Sequence, residues 1–279
     1  MSAAGAVPDP GIDAMRAIMQ WPDKTMIAVD FDGTLAPIVD DPDRAFGNPR
    51  AIAALGRLGG LGLTIAVITG RPARTVVRLG RFTSVPGLRN MIVLGQYGVE
   101  RWDAATGEFS IPPEPDGIAA LTDEVDQLLA SLDLSEARLE HKGRAIGVHT
   151  RELPDPRAAF ETLLPRLNDL AERHRWAIEP GKNVIEIRAP GMDKGVALRS
   201  LIEETGVRQV IFAGDDLGDL PAFRMVEHLR AEGFPGLLVC SASHEEDALT
   251  EISDLIVSGP DGVAEWLGRL ADSLAARRS

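Results

Sequence analysis

Five short runs rich in valine and isoleucine set the architecture of this chain. They are "TMIAVD" (25–30), "LTIAVIT" (63–69), "NMIVLG" (90–95), "QVIFAG" (209–214) and "GLLVC" (236–240), with "DLIVSG" (254–259) as a sixth. Apolar runs without polar alternation suit strands buried on both faces, as in a parallel sheet. Helical patterns lie between them: "PRAIAALGRLGGL" before the second, "DKGVALRSLIEETG" before the fourth, "LGDLPAFRMVEHLRAEG" before the fifth. Gly206 and Gly233 follow two of these where a helix C-cap favours glycine. The alternation predicts an α/β fold, a doubly wound, Rossmann-like, mostly parallel sheet. Ligands in such sheets gather at the carboxyl ends of the strands.

The rhythm breaks between the third and fourth runs. "SIPPEPDG" (110–117) reads as a linker, followed by the amphipathic helix "IAALTDEVDQLLASL" and strands "ARLEHKG" and "RAIGVHTR". A second helix, "DPRAAFETLLPRLNDLAERH", precedes "WAIEPGKNVIEIR", a hairpin turning near Gly181–Lys182. This α-β-β-α-β-β order predicts an α+β cap domain over 113–189, inserted into a core of 1–112 and 190–279. Pro165 is expected to kink or break its helix. The stretch "MSAAGAVPDPGIDAM" reads as a loose tail, and "LAARRS" as a frayed helix end.

The net charge of −13 argues against a nucleic-acid or anionic-membrane surface. An anionic small molecule would need local positive charge from a metal ion, lysine or arginine. Cys240, the only cysteine, excludes an intramolecular disulfide and a multi-cysteine zinc site, and fits a reducing cytoplasm. No apolar run reaches the ~18–20 residues of a membrane span, and the first residues lack the pattern of a secretory signal. A cytoplasmic protein is expected, with the oligomeric state left open and a monomer compatible with the sequence.

The chemistry gathers at strand ends. In "VDFDGT", Asp30 and Asp32 share one side of an extended backbone, and Phe31 points away. Carboxylates so close repel unless a cation intervenes, and a hard divalent ion with oxygen ligands, Mg²⁺, would relieve the repulsion. Gly33 permits a sharp exit. Two solvated aspartates in a turn are the alternative. In "VITGRP", Thr69 would present a hydroxyl to a phosphoryl oxygen; Arg71 is either a phosphate ligand or a solvated helix-start side chain. Lys194 opens a helix, an ordinary surface place for lysine. Asp215 and Asp216 follow another apolar strand, with Asp219 one turn on; either Asp216 or Asp219 could cap the next helix. Two strands ending in paired carboxylates suggest a metal site assembled across the sheet.

Asp30-x-Asp32-Gly33-Thr34, Thr69, Lys194 and Gly214-Asp215-Asp216 occur in the order of the four motifs of the haloacid-dehalogenase-like phosphohydrolases, which this chain resembles. The resemblance implies Asp30 as nucleophile, forming an aspartyl-phosphate, and Asp32 as general acid and then base. It implies Thr69 and Lys194 as holders of the phosphoryl oxygens. Asp30, the Asp32 carbonyl and Asp215 would ligate Mg²⁺, with Asp216 reaching it through water. The inserted module is similar to the C2 caps that act on small phosphorylated metabolites. "LEHKGRAIGVHTR" and "GKNVIEIR" resemble the trehalose-6-phosphate phosphatase signature through Glu140, Lys142, His149, Arg151, Gly181, Lys182, Glu186 and Arg188. "LAPIVDDPDRA" and "GQYGVE" look similar too. Two departures stand out. Tyr97 occupies a position where that family often has histidine, and Leu217-Gly218 replaces its usual x-Thr.

The resemblance implies a Mg²⁺-dependent phosphatase hydrolysing trehalose 6-phosphate, with Arg71, Glu140, Lys142, Arg151 and Glu186 binding substrate. Alternatives are a phosphatase of sucrose 6-phosphate or a mannosyl-phosphoglycerate, and a non-catalytic sugar-phosphate-binding regulator. Without the resemblance, Glu140 and Lys142 are equally a pair that steadies a sheet.

Overall fold

The computed structural model describes residues 9–181, 183–189, 193–242 and 247–278. The chain forms two compact units, Met1–Ile111 with Met192–Ser279, and Pro112–Gly191.

The first unit begins with α1 (Pro10–Gln20), β1 (Thr25–Val29), α2 (Pro49–Gly60), β2 (Thr64–Ile68), α3 (Ala73–Gly80), β3 (Ile92–Gly95), β4 (Glu100–Asp103) and β5 (Phe109–Ser110). The second holds α4 (Ile118–Ser131), β6 (Arg138–His141), β7 (Ala145–His149), α5 (Pro156–His174), β8 (Ala177–Gly181) and β9 (Val184–Arg188). The first resumes with α6 (Lys194–Thr205), β10 (Gln209–Gly214), α7 (Leu220–Ala231), β11 (Gly236–Ala242), α8 (Asp247–Thr250), β12 (Leu255–Ser258) and α9 (Gly259–Arg278).

The large sheet runs β12-β11-β10-β1-β2-β3-β4-β5. It is parallel from β12 to β3, and only the β3–β4 and β4–β5 pairings are antiparallel. Every residue of β1 is buried, and its two faces serve two cores. Ile27 and Val29 pack in the cluster that includes α1, α2, α3 and α9. Met26 and Ala28 pack with α6 and α7. A doubly covered sheet explains the near-continuous apolar runs.

The smaller sheet, β6-β7-β9-β8, is antiparallel throughout. Ile146, Val148, Ile185 and Ile187 form its apolar side, packed with Leu121, Val125 and Leu129 of α4 and Leu163, Leu167 and Leu170 of α5. The opposite side is polar.

Two expectations need correction. Part of the supposed tail is α1: Asp9 caps it by accepting from the N–H groups of Gly11 and Ile12, Pro10 takes the first turn, and Ala14 and Ile18 are buried. These are strong start signals that outweigh the scattered glycines and prolines upstream. Of the kink or break expected at Pro165, the break does not occur: α5 is continuous from Pro156 to His174. Pro165 is exposed, while its neighbours Leu163 and Leu167 are wholly buried, so packing on both sides of the proline carries the helix across the lost hydrogen bond. Lys182 and residues 1–8 lie outside the described residues.

Candidate active site

The chain lays β1, β2 and β3 to one side, passes through the second unit, then returns to lay β10, β11 and β12 on the other side of β1. The crevice where the winding reverses, at the carboxyl ends of β1 and β10, is where open α/β sheets place ligands. Asp30 follows β1, and its N–H donates to the Ala213 carbonyl at 2.8 Å. Asp215 follows β10. Both carboxylates are almost fully buried, and Phe31 between Asp30 and Asp32 is wholly so.

The turn after Asp30 is shaped around Asp215. Gly33 has φ +69°, and a Cβ there would lie 1.9 Å from Asp215 Oδ2. Its N–H donates to the Ala36 carbonyl at 2.7 Å, and its carbonyl accepts from Ser241 Oγ at 2.7 Å. Thr34 Oγ1 donates to Asp215 Oδ1 at 3.2 Å. The D-x-D-G-T spelling thus brings β1's carboxylate and β10's carboxylate to one place.

Lys194 is the first residue of α6, whose cap, Asp193, accepts from the Val196 N–H at 2.8 Å. It is not a surface lysine: it is 3% exposed. Its Nζ lies 2.8 Å from Asp219 Oδ1 and 2.9 Å from Asp30 Oδ1. The Asp30 contact is an ion pair outside hydrogen-bond geometry. Asp219 also accepts from the N–H groups of Asp215 (2.9 Å) and Asp216 (3.4 Å). Asp219 is therefore committed to fixing Lys194 and the turn after β10.

One ammonium group serves too many carboxylates. Burial pushes Asp30 well above the usual carboxylate range, against the pull of Lys194. Burial first, then Asp30, Asp219 and Asp216, pushes Asp215 up to about 10. Burial lowers Lys194, but Asp219, Asp30 and Asp216 more than offset it and hold it well above the ordinary lysine value. Carboxylate oxygens of Asp30, Asp215 and Asp219 lie within 4.8 Å of one another. A site of hard oxygen donors with this surplus of negative charge fits a hard divalent cation.

The remaining strand-end residues take distinct places. Arg71 grips the Asp32 carboxylate with both arms of its fork, Nε to Oδ2 at 2.5 Å and Nη2 to Oδ1 at 2.6 Å, and its Nη1 donates to the Pro42 carbonyl at 2.8 Å. Asp32 is thus turned to Arg71 rather than into the acidic cluster. Thr69 is buried, and its Oγ1 accepts from the Arg71 N–H at 3.2 Å, leaving its own hydrogen to donate. Asp216 is exposed and accepts from the Gly218 N–H at 2.9 Å, capping a short 3-10 turn.

In the second unit, register puts Glu140, Gly147, Glu186 and Glu179 in one row across all four strands. The next row holds Lys142, Ala145 and Arg188 on the same side. Lys142 pairs with Glu186 and stands 3.9 Å from Glu140, while Glu140 accepts from His149 Nε2 at 2.8 Å. Arg188 donates to Glu179 at 3.1 Å. The His149 hydrogen bond, opposed by burial and helped by Lys142, lowers Glu140 to about 2. Gly147 lies between Glu140 and Glu186, and the His149 and Glu140 side chains close over it: a Cβ there would stand 3.4 Å from His149 Nε2 and 3.6 Å from Glu140 Cβ. Arg151 sits in the exposed turn after β7, outside this network. Glu179 escaped sequence reasoning; hairpin register between β8 and β9 is the signal that places it opposite Glu186.

A family model described as trehalose-phosphatase matches residues 28–254, most of the chain and both units. This chain belongs to the trehalose-phosphatase family. It is 31% identical to the trehalose-6-phosphate phosphatase of Escherichia coli over 253 residues, covering 89% of this chain and 87% of that one. It is 30% identical to the probable trehalose-phosphate phosphatase I of Arabidopsis thaliana, covering 88% of this chain and 66% of that one, so it spans just under two thirds of the plant relative. Among solved structures, the C-terminal domain of C. albicans trehalose-6-phosphate phosphatase superposes with TM-score 0.74 over 97% of this chain and 99% of that one. Their sequences are 20% identical, so that likeness speaks for the fold alone. The family is one of phosphatases, and its mixed α/β core with a separate antiparallel sheet is the architecture found here. Among the described residues no helix is long and apolar enough to cross a membrane.

Proposed function

We propose that this protein hydrolyses trehalose 6-phosphate to trehalose and phosphate through a phosphoryl-Asp30 intermediate. The observation that carries the reaction is the buried Asp30–Lys194–Asp219 chain beside Asp215, at the reversal of the sheet. Asp30 and Lys194 are there together, one to attack phosphorus and one to hold phosphoryl oxygen.

In the first step an Asp30 oxygen bonds to phosphorus, the bond from phosphorus to the sugar oxygen breaks, and Asp32 gives that oxygen its proton. In the second, water attacks the same phosphorus, its proton passes to Asp32, and the bond to Asp30 breaks to release phosphate. Thr69 donates a hydrogen bond to a phosphoryl oxygen, and Arg71 both orients Asp32 and adds positive charge. Asp30, Asp215 and the Asp32 carbonyl, with Asp216, would hold Mg²⁺. When bound, the ion neutralises charge on the phosphoryl oxygens, which is most of what phosphoryl transfer requires. Glu140, Lys142 and Glu186, with Arg151, are assigned to the sugar hydroxyls. A half-buried set of carboxylates and an ammonium offers both acceptors and donors to them.

A panel of sugar phosphates assayed with Mg²⁺ tests the reading, with Asp30→Asn as control. Trehalose 6-phosphate is expected to be preferred and the variant inactive. A clear preference for another sugar phosphate overturns the substrate, and an active Asp30→Asn overturns the nucleophile.

A further inference from the structure

The loop joining β3 to β4 is strained where a hairpin of its length need not be. Gln96, Tyr97 and Gly98 have φ of 49°, 58° and 103°, so two successive non-glycine residues are left-handed. Such residues are uncommon singly and persist only where the surroundings hold them, typically at functional sites. The Gln96 side-chain amide is buried at 3% exposure, and its nitrogen has no hydrogen-bond partner.

What the loop holds is the segment carrying Thr69 and Arg71. The Tyr97 N–H donates to the Thr69 carbonyl at 2.9 Å, and the Gln96 N–H donates to the Arg71 carbonyl at 3.0 Å. Between those two anchors the Tyr97 ring lies flush on Gly70: a Cβ there would come within 2.9 Å of both Cζ and the hydroxyl oxygen. The same loop packs against α6, the helix that Lys194 begins. Hence one strained turn touches both elements that supply phosphoryl-binding side chains.

We propose that Tyr97 is a positioning residue for phosphate: its ring, clamped on Gly70 by the left-handed Gln96–Tyr97 backbone, fixes where the Thr69 hydroxyl and the Arg71 guanidinium stand. The inference rests on the phosphatase reading above but concerns the phosphate half of the substrate alone. The ring acts through Gly70, so phenylalanine should replace it.

Tyr97→Gly and Tyr97→Asn both remove the ring while accepting a positive φ, so neither adds backbone strain to the loss of the ring. Each folded variant is expected to lose about ten- to a hundredfold in kcat/KM, to be inhibited more weakly by inorganic phosphate, and to respond unchanged to trehalose. Tyr97→Phe is expected to match the wild type in all three. A folded Gly or Asn variant with wild-type kcat/KM and phosphate inhibition overturns the proposal. So does a Phe variant as impaired as the Gly variant, which would make the hydroxyl the working part. A wild type inactive on trehalose 6-phosphate refutes the substrate instead, and calorimetric binding of inorganic phosphate to the same variants still decides the role of Tyr97.

Discussion

Gly33 and Asp215 occupy the same space but for one missing carbon: a Cβ on Gly33 would lie 1.9 Å from Asp215 Oδ2. They belong to neighbouring strands' ends and are 182 residues apart in sequence. The glycine therefore serves the acidic cluster as well as its own turn. Alanine at 33 would meet both a left-handed φ and an occupied volume, and Asp215 would have to swing away. Gly33→Ala is expected to destabilise the fold by at least the ~1–2 kcal/mol of a left-handed alanine and to suppress activity far more than that loss explains. Chemical denaturation alongside kcat/KM measures both. An active, equally stable variant would show that Asp215 can move freely.

Lys194 lies between Asp30 and Asp219 with 4% of its side chain exposed. Removing it leaves two buried carboxylates facing each other without their cation. Lys194→Met, close in length and without charge, is expected to cost about 3–5 kcal/mol in urea unfolding at neutral pH. Asp219→Asn in the same background should recover part of that loss, because it removes one of the stranded charges. If the single variant is as stable as the wild type, the cluster must already be protonated in the resting protein.

Much of this site was legible in the sequence, for a physical reason. Carboxylates at strand ends leave an abrupt change from apolar to acidic, and Asp30, Asp32, Asp215 and Asp216 stand at that edge. The strands were legible because a doubly covered sheet needs unbroken apolar runs. β4 and β5 were not recognised: "ERWD" and "FS" lie at the antiparallel edge, half-exposed and mixed in polarity. The burial of Lys194 was not legible either, since a lysine opening a helix is ordinary until Asp219 is seen beside it. Neither was the grip of Arg71 on Asp32, a contact across 39 residues. Long-range partners of charged groups leave no periodic trace.

Burial and the carboxylates of Asp30, Asp219 and Asp216 raise Asp215 to about 10. A divalent cation should therefore stabilise the folded protein through binding, and its removal should be felt as lost stability. Wild-type protein is expected to melt higher with Mg²⁺ than with EDTA. Asp215→Asn should melt no lower than wild type in EDTA, since a carboxyl raised to about 10 is already neutral there and asparagine is its neutral counterpart, and should gain little from Mg²⁺. A variant that responds to Mg²⁺ as fully as the wild type would exclude Asp215 from the ligands.

Glu140 offers a pH test in the second unit. Its folded value is about 2 against an ordinary value of 4.5, first through the hydrogen bond from His149 and then, against burial, through Lys142. A depressed carboxyl stabilises the folded state fully above 4.5, and that contribution fades as pH falls through about 2. Stability measured by urea unfolding should therefore fall over this acid window, and the fall should shrink in Glu140→Gln, which has no proton to gain. His149→Ala removes the largest cause, so the Glu140 carboxyl signal followed by NMR should titrate closer to 4.5. If it still titrates near 2 without His149, Lys142 alone holds the carboxylate, and the row of Glu140, Gly147 and Glu186 is organised by the lysine rather than the histidine.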